Sequence, residues 1–145
     1  MFKRILIATD GSALAQKAVT QGLALAKALR AEVVVVHVTA SWTSMPVSDL
    51  GLALPPENYD RIASESAQNI LAPVAAAARE ASLACRTLHV RDRLAAQGIL
   101  ETAAAVNASL VVLSSHGRSG LARLLLGSEA NEVVNHSRIP VLICR

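Results

Sequence analysis

Residues able to do chemistry gather at two places in the chain. The first is Ala8-Thr9-Asp10-Gly11-Ser12, directly after a short apolar run. The second is Ser114-Ser115-His116-Gly117-Arg118-Ser119-Gly120, with Gly127-Ser128-Glu129 following seven residues after Gly120. Gly117, Gly120 and Gly127 let backbone approach a ligand closely, and Ser128 can cap a helix or donate its hydroxyl to a phosphate oxygen. Such a set binds an anion through N–H groups, and a side chain added at Gly127 is expected to push into the phosphate space. It is equally ordinary turn-and-cap sequence, and spacing alone does not separate the two. Asp10 can meet a ribose hydroxyl or a metal ion that accompanies phosphates, or it can simply turn the chain with Gly11 and Ser12. Arg118 and Arg123 can pair with phosphate or stay solvated in a loop. His116, inside the glycine loop, is placed to contact phosphate or to exchange a proton near neutral pH. His37, His89 and His136 read as structural or exposed.

Several chemistries are missing from the chain. It has no Gly-x-x-x-x-Gly-Lys-Ser/Thr and no Gly-x-Gly-x-x-Gly after the first strand, which excludes the P-loop and argues against a dinucleotide cofactor. Gly-x-Ser-x-Gly is also absent, leaving a hydrolase triad unsupported. A phosphoacceptor receiver domain needs acidic residues at more than one strand end, and only Asp10 is available. The two cysteines, Cys85 and Cys144, have neither CxxC spacing nor a histidine cluster around them, so a disulfide or metal site has little support.

Short β-branched runs alternate with helix-period segments, the pattern of βαβ units and a parallel sheet. Five runs read as strands: Arg4 to Thr9, Glu32 to Val38, Cys85 to Val90, Ser109 to Ser114, and Pro140 to Cys144. Val33-Val34-Val35-Val36 and Leu110-Val111-Val112-Leu113 are apolar at successive positions, as strands covered on both faces require. Ala15, Ala18, Val19, Gly22, Ala26 and Leu29 recur at helical spacing and predict the first crossover helix. A second helix is expected over about Glu57 to Ser82, kinked or broken by Pro73 near Gln68 to Leu71. A third spans about Leu94 to Val106 and a last short one about Gly127 to His136. Thr39 to Pro56 has no sustained period and reads as a long loop.

The chain has 145 residues, a common single-domain size that buries roughly two thirds of the unfolded surface. It is 52% hydrophobic but 2% aromatic, so the core must be built from Ala, Val, Leu and Ile, which favours close helix-on-sheet packing. The net charge of +3 is scattered, with no dense basic run and no interleaved aromatics, so nucleic-acid binding is not expected. The apolar run at Ile5 to Ala8 is too short for a signal-peptide core, and no stretch approaches the roughly 20 apolar residues of a membrane span. A cytoplasmic protein with no membrane partner is the expectation. In doubly wound sheets, ligands bind beyond the carboxyl ends of strands, where helix N-termini aim N–H groups at anions. Both clusters of polar residues fall at such ends.

Over essentially its whole length the chain resembles the universal stress proteins. The resemblance rests on Ile5-Leu6-Ile7-Ala8-Thr9-Asp10-Gly11-Ser12, Val36-His37-Val38, the run from Ser115 to Ser128, and Ile139-Pro140-Val141-Leu142-Ile143. It implies a single α/β domain over residues 1–145. The fold would be an open five-stranded parallel sheet with helices on both faces, Rossmann-like and of the adenine nucleotide alpha hydrolase type. The ATP-binding branch carries Gly, two residues, Gly, nine residues, then Gly and Ser or Thr. Gly117, Gly127 and Ser128 match it, while Ser114 stands at the first glycine. Position by position, the resemblance puts Ala8, Thr9 and Asp10 beside the adenosine and the backbone of Val38 against the adenine. It puts Ser114, His116, Gly117, Arg118, Gly127, Ser128 and the N–H of Glu129 at the phosphates. The implied ligand is ATP, with AMP or another adenine nucleotide as the alternative and Mg2+ or Mn2+ accompanying the phosphates. The family also implies a homodimer through the last strand, Ile139 to Cys144, an apolar edge that a second copy would cover.

The resulting expectation is a nucleotide-dependent sensor or regulator in stress response, not a rapid catalyst. Two other readings compete with it: a partner-binding member of the same family without nucleotide, marked by Ser114, and a slow ATPase or phosphotransfer enzyme using Asp10 and His116.

Overall fold

The valine and leucine runs become strands with no exposed face, and the rest of the chain is arranged to cover them. The computed structural model describes residues 1–44, 55–117 and 125–145. Along the chain come β1 (Arg4–Ala8), α1 (Ala13–Leu29), β2 (Glu32–Val38), a 3-10 turn (Trp42–Ser44) and α2 (Pro56–Glu80). They are followed by β3 (Cys85–Val90), α3 (Ala95–Ala105), β4 (Leu110–Ser114), α4 (Ser128–His136) and β5 (Val141–Cys144). The five strands form one parallel sheet in the order β3-β2-β1-β4-β5.

Alternation of side chains divides the core between the two faces. Ile5, Ile7, Val33, Val35 and Val112 point to the layer of α1 and α2, where they meet Ala18, Val19, Leu71 and Val74. Leu6, Ala8, Val34, Val36 and Val111 point to α3 and α4, where they meet Ala96, Ile99, Ala103 and Val133. With so few aromatics the layers come close together. A Cβ at Gly22 would lie 2.6 Å from Ile7 Cδ1, and one at Gly98 would lie 2.7 Å from Val38 Cγ1.

The chain lays β2 and then β3 on one side of β1, and returns to lay β4 and β5 on the other. Between β1 and β4 the order reverses, and the connections leaving their carboxyl ends diverge to opposite faces. That divergence opens a crevice at the ends of β1 and β4, where the two polar clusters fall.

One expectation needs correction. Helix α2 runs unbroken through Pro73. Ala63, Ala67 and Leu71 before the proline and Val74 and Ala78 after it are all buried. Packing both halves into one layer offsets the single backbone bond the proline cannot make. The segment read as a long loop contains the Trp42–Ser44 turn and ends in Pro55 and Pro56, the latter opening α2 at a position where its missing N–H costs nothing. Residues 45–54 of that segment lie outside the described residues.

Cys85 and Cys144 are free and sit on β3 and β5, the opposite edges of the sheet. Four strand spacings, about 19 Å, separate those edges, far beyond disulfide reach. Among the described residues no helix is long and apolar enough to cross a membrane.

Candidate functional site

The turn after β1 is held by its own side chains. Asp10 Oδ1 accepts the Ser12 N–H at 2.9 Å, and Ser12 caps α1 by accepting the Ala15 N–H at 3.1 Å. Gly11 between them has φ of +80°, the left-handed region where glycine carries no steric penalty. The cap-and-turn role of Asp10-Gly11-Ser12 is therefore realised, but it engages one carboxylate oxygen. The other, Oδ2, lies against the loop after β4, where a Cβ on Gly117 would come within 2.7 Å of it.

A buried histidine clamps the same turn from β2. His37, 6% exposed, directs Nδ1 at the carbonyl oxygen of Thr9 at 2.8 Å, so Nδ1 carries the proton and donates. The Thr9 N–H in turn donates to the Val36 carbonyl at 3.0 Å. His89 on β3 stacks on His37 with centroids 5.9 Å apart, and its Nε2 lies 2.9 Å from Thr39 Oγ1. Burial, then the neighbouring His37, then Arg91 push the His89 pKa below its ordinary 6.5. Between the lowered value and 6.5 the unfolded chain binds more protons than the folded one, so stability rises with pH across that window. Urea unfolding at pH 7.5, 6.5 and 5.5 is expected to show stability falling as pH drops through 6.5. In His89→Gln the slope should be shallower; an unchanged slope would remove His89 from the account.

The loop after β4 is built around Ser115 and His116. The Ser115 N–H donates to the Cys144 carbonyl at 2.8 Å, and the Ser115 carbonyl accepts the Gly127 N–H at 2.8 Å. These bonds bring the start of α4 directly onto the end of β4. Ser114 Oγ donates to the His116 carbonyl at 2.8 Å, so its hydroxyl is spent on bracing the loop. His116 Nδ1 lies 3.1 Å from Ser115 Oγ, while its Nε2 is buried with no hydrogen-bond partner among the described residues. A buried imidazole nitrogen without a partner is a feature that structures rarely leave unexplained.

Gly127 is the N-cap of α4 and brings no side-chain acceptor; Ser128 is its first helical residue, so the reading of Ser128 as the cap does not hold. The first N–H groups of α4 have no partner from within the helix, and the helix dipole adds partial positive charge there. The reason for glycine at 127 also differs from expectation. A Cβ there would meet the Ser115 carbonyl oxygen at 2.9 Å and His116 Cα at 3.4 Å. The side chain is excluded by the protein's own loop, which needs α4 to sit this close.

These pieces surround a cavity of about 340 Å3. It is lined by Ala8 at the end of β1 and by Thr9 and Asp10 in the turn after it, by Val38 from β2, and by Ser114, His116, Gly117, Gly127, Ser128 and Glu129 from the end of β4 to the start of α4. Arg118 lies outside the described residues. The cavity also uses positions that sequence reasoning missed. Ala95 and Ile99 at the start of α3 form a wall, and Val36, Leu113 and Ala130 complete it. The span expected for the third helix includes Ile99, but nothing local said that this helix would open onto the cavity. Glu129 does more than offer an N–H: its Oε2 accepts the Ala96 N–H at 2.7 Å, capping α3 from α4. Among the described residues no three of His, Cys, Asp and Glu are grouped to hold a metal ion by themselves.

A doubly wound parallel sheet with an anion-receptive helix terminus at its switch point defines a class of small α/β ligand-binding domains. The model of the universal stress protein family matches residues 1–145, and the chain belongs to that family. It is similar to a universal stress protein of Bacillus subtilis, YxiE, with 34% identity over the full length of both chains. Two solved structures share the fold. A universal stress protein in complex with cAMP superposes with a TM-score of 0.70 at 23% identity, covering 99% of this chain and 97% of that one. The Archaeoglobus fulgidus universal stress protein in complex with dAMP superposes with a TM-score of 0.69 at 19% identity, covering 100% and 98%.

Proposed function

We propose that this chain binds an adenine nucleotide, ATP included, in the cavity at the switch point, and that it works as a nucleotide-dependent sensor or regulator in stress response. The observation that carries the reading is the pairing on one cavity of the uncapped N-terminus of α4 with His116, whose Nε2 has no hydrogen-bond partner among the described residues. Both are polar groups that an anion would satisfy. The cavity volume suits a small ligand, and its apolar wall of Val36, Val38, Ala95 and Ile99 suits a flat base. Complexes of similarly folded family members with cAMP and dAMP support an adenine ligand.

In this arrangement the base lies toward Val38, and Ala8, Thr9 and Asp10 stand beside the ribose. Ser114, His116, Gly117, Gly127, Ser128 and the Glu129 N–H face the phosphates. A divalent cation entering with a polyphosphate would take most of its ligands from phosphate oxygens and water, with Asp10 the protein's nearest carboxylate. Isothermal titration with ATP, AMP and cyclic AMP tests the reading. Dissociation constants in the micromolar range are expected for at least one of them, and no heat at millimolar nucleotide would reject it. The same reading includes a homodimer along Ile139 to Cys144. Among the described residues β5 pairs in the sheet with β4 alone, and Leu142 on this edge strand is exposed.

A further inference from the structure

Glycine inside a helix costs stability that alanine would not, so a buried glycine in α3 calls for a physical reason. Gly98 is such a residue. Ala95, Gly98 and Ile99 are spaced i, i+3 and i+4 and share one face of the helix. Ala95 and Ile99 open onto the cavity, while Gly98 meets Val38, which lines the cavity from the end of β2. A Cβ at Gly98 would lie 2.7 Å from Val38 Cγ1, 2.8 Å from Cγ2 and 3.3 Å from Cβ.

Neither backbone is free to yield to such a Cβ. In α3 the Gly98 N–H donates to the Leu94 carbonyl at 2.9 Å, and the Thr102 hydroxyl donates to the Gly98 carbonyl at 2.6 Å. Glu129 Oε2 holds the same helix at Ala96. In the sheet, Val38 is in register with Val90, and the Thr39 N–H donates to the Val90 carbonyl at 2.9 Å. The Val38 side chain has to give instead. Rotation alone does not clear it. Valine has two γ carbons in three staggered positions, and two of those positions face Gly98, so every setting of χ1 leaves at least one carbon there. Val38 would have to lean away from α3 as a whole, and the cavity wall it forms would move with it.

Resting on the adenine-nucleotide reading, we propose that Gly98, itself outside the cavity, is a positioning residue that sets the fit of the base by letting the Val38 side chain lie against α3. Val38 then forms one apolar wall with Ala95 and Ile99. Dispersion contacts weaken steeply within about 1 Å of misfit, so a small displacement of that wall is felt by a flat ring resting on it.

The test titrates AMP and ATP into the wild-type chain, Gly98→Ala, Val38→Ala and the double variant. Gly98→Ala is expected to lower the affinity for the nucleotide that binds about tenfold, as a misplaced methyl in an apolar pocket does. Val38→Ala removes both γ carbons, so adding Gly98→Ala to it should cost less than about threefold further. A second measurement needs no variant. In methyl NMR of the wild type, saturating nucleotide should shift the Val38 methyl resonances more than those of Val19, which is buried in the layer on the opposite face of the sheet. Wild-type affinity in Gly98→Ala, a tenfold loss that persists in the Val38→Ala background, or Val38 methyls that do not respond would each overturn the role of Gly98 while leaving the nucleotide site intact. Binding of neither AMP nor ATP to the wild type would overturn the nucleotide reading, and this inference with it.

Discussion

Gly127→Val is expected to lower adenine-nucleotide affinity by about a hundredfold or more while destabilising the fold by about 1–3 kcal/mol. The two losses have one cause. The added Cβ would sit 2.9 Å from the Ser115 carbonyl oxygen, which also accepts the Gly127 N–H at 2.8 Å. Backbone on both sides of the contact leaves no rotamer to relieve it, so the start of α4 must retreat from the loop after β4. That retreat misaligns the N–H groups of α4 with His116. Hydrogen bonds to a charged group are worth about 1.5–3 kcal/mol each, and two of them account for the fall in affinity. Titration combined with urea unfolding checks both numbers. A variant that folds less stably but binds normally would show that α4 does not hold the ligand.

The second large effect concerns a residue that does not line the cavity. His37→Ala is expected to cost about 2–3 kcal/mol, from an unfilled space beneath the sheet's carboxyl edge and a Thr9 carbonyl deprived of its donor. Thr9 and Asp10 form one side of the cavity, so nucleotide affinity should fall about tenfold through their displacement. His37 acts here as a positioning residue. Asparagine places its amide N–H close to where Nδ1 lies, and His37→Asn should restore much of the affinity. Equal losses in His37→Ala and His37→Asn would assign His37 to packing alone.

The strands were legible in the sequence because parallel-sheet burial leaves a local mark. Val33 to Val36 and Leu110 to Leu113 must be apolar at every position when both faces are covered, and the structure buries them. Thr9, Ser109 and Pro140 flank the strands instead of extending them, a shift of one residue at one end of each of β1, β4 and β5. The helices were equally local, except at Pro73, where propensity pointed to an interruption and burial of Leu71 and Val74 on either side kept the helix whole. Packing decided that point, and packing is not written within one turn of helix.

The residues able to do chemistry were also visible from the chain alone, since Asp10, His116, Gly127 and Ser128 stand where strands give way to turns. What no local pattern carries is their convergence. Asp10 and His116 are more than 100 positions apart in the chain. They face one cavity because β4 is laid beside β1 on the side away from β2. The wall from Ala95 and Ile99, the clamp of His37 on Thr9 and the reach of Glu129 to Ala96 belong to the same category. Each is a contact between segments whose spacing in sequence is arbitrary. Alternation and periodicity record which side of an element is buried, and strand order and helix approach decide what that side will meet.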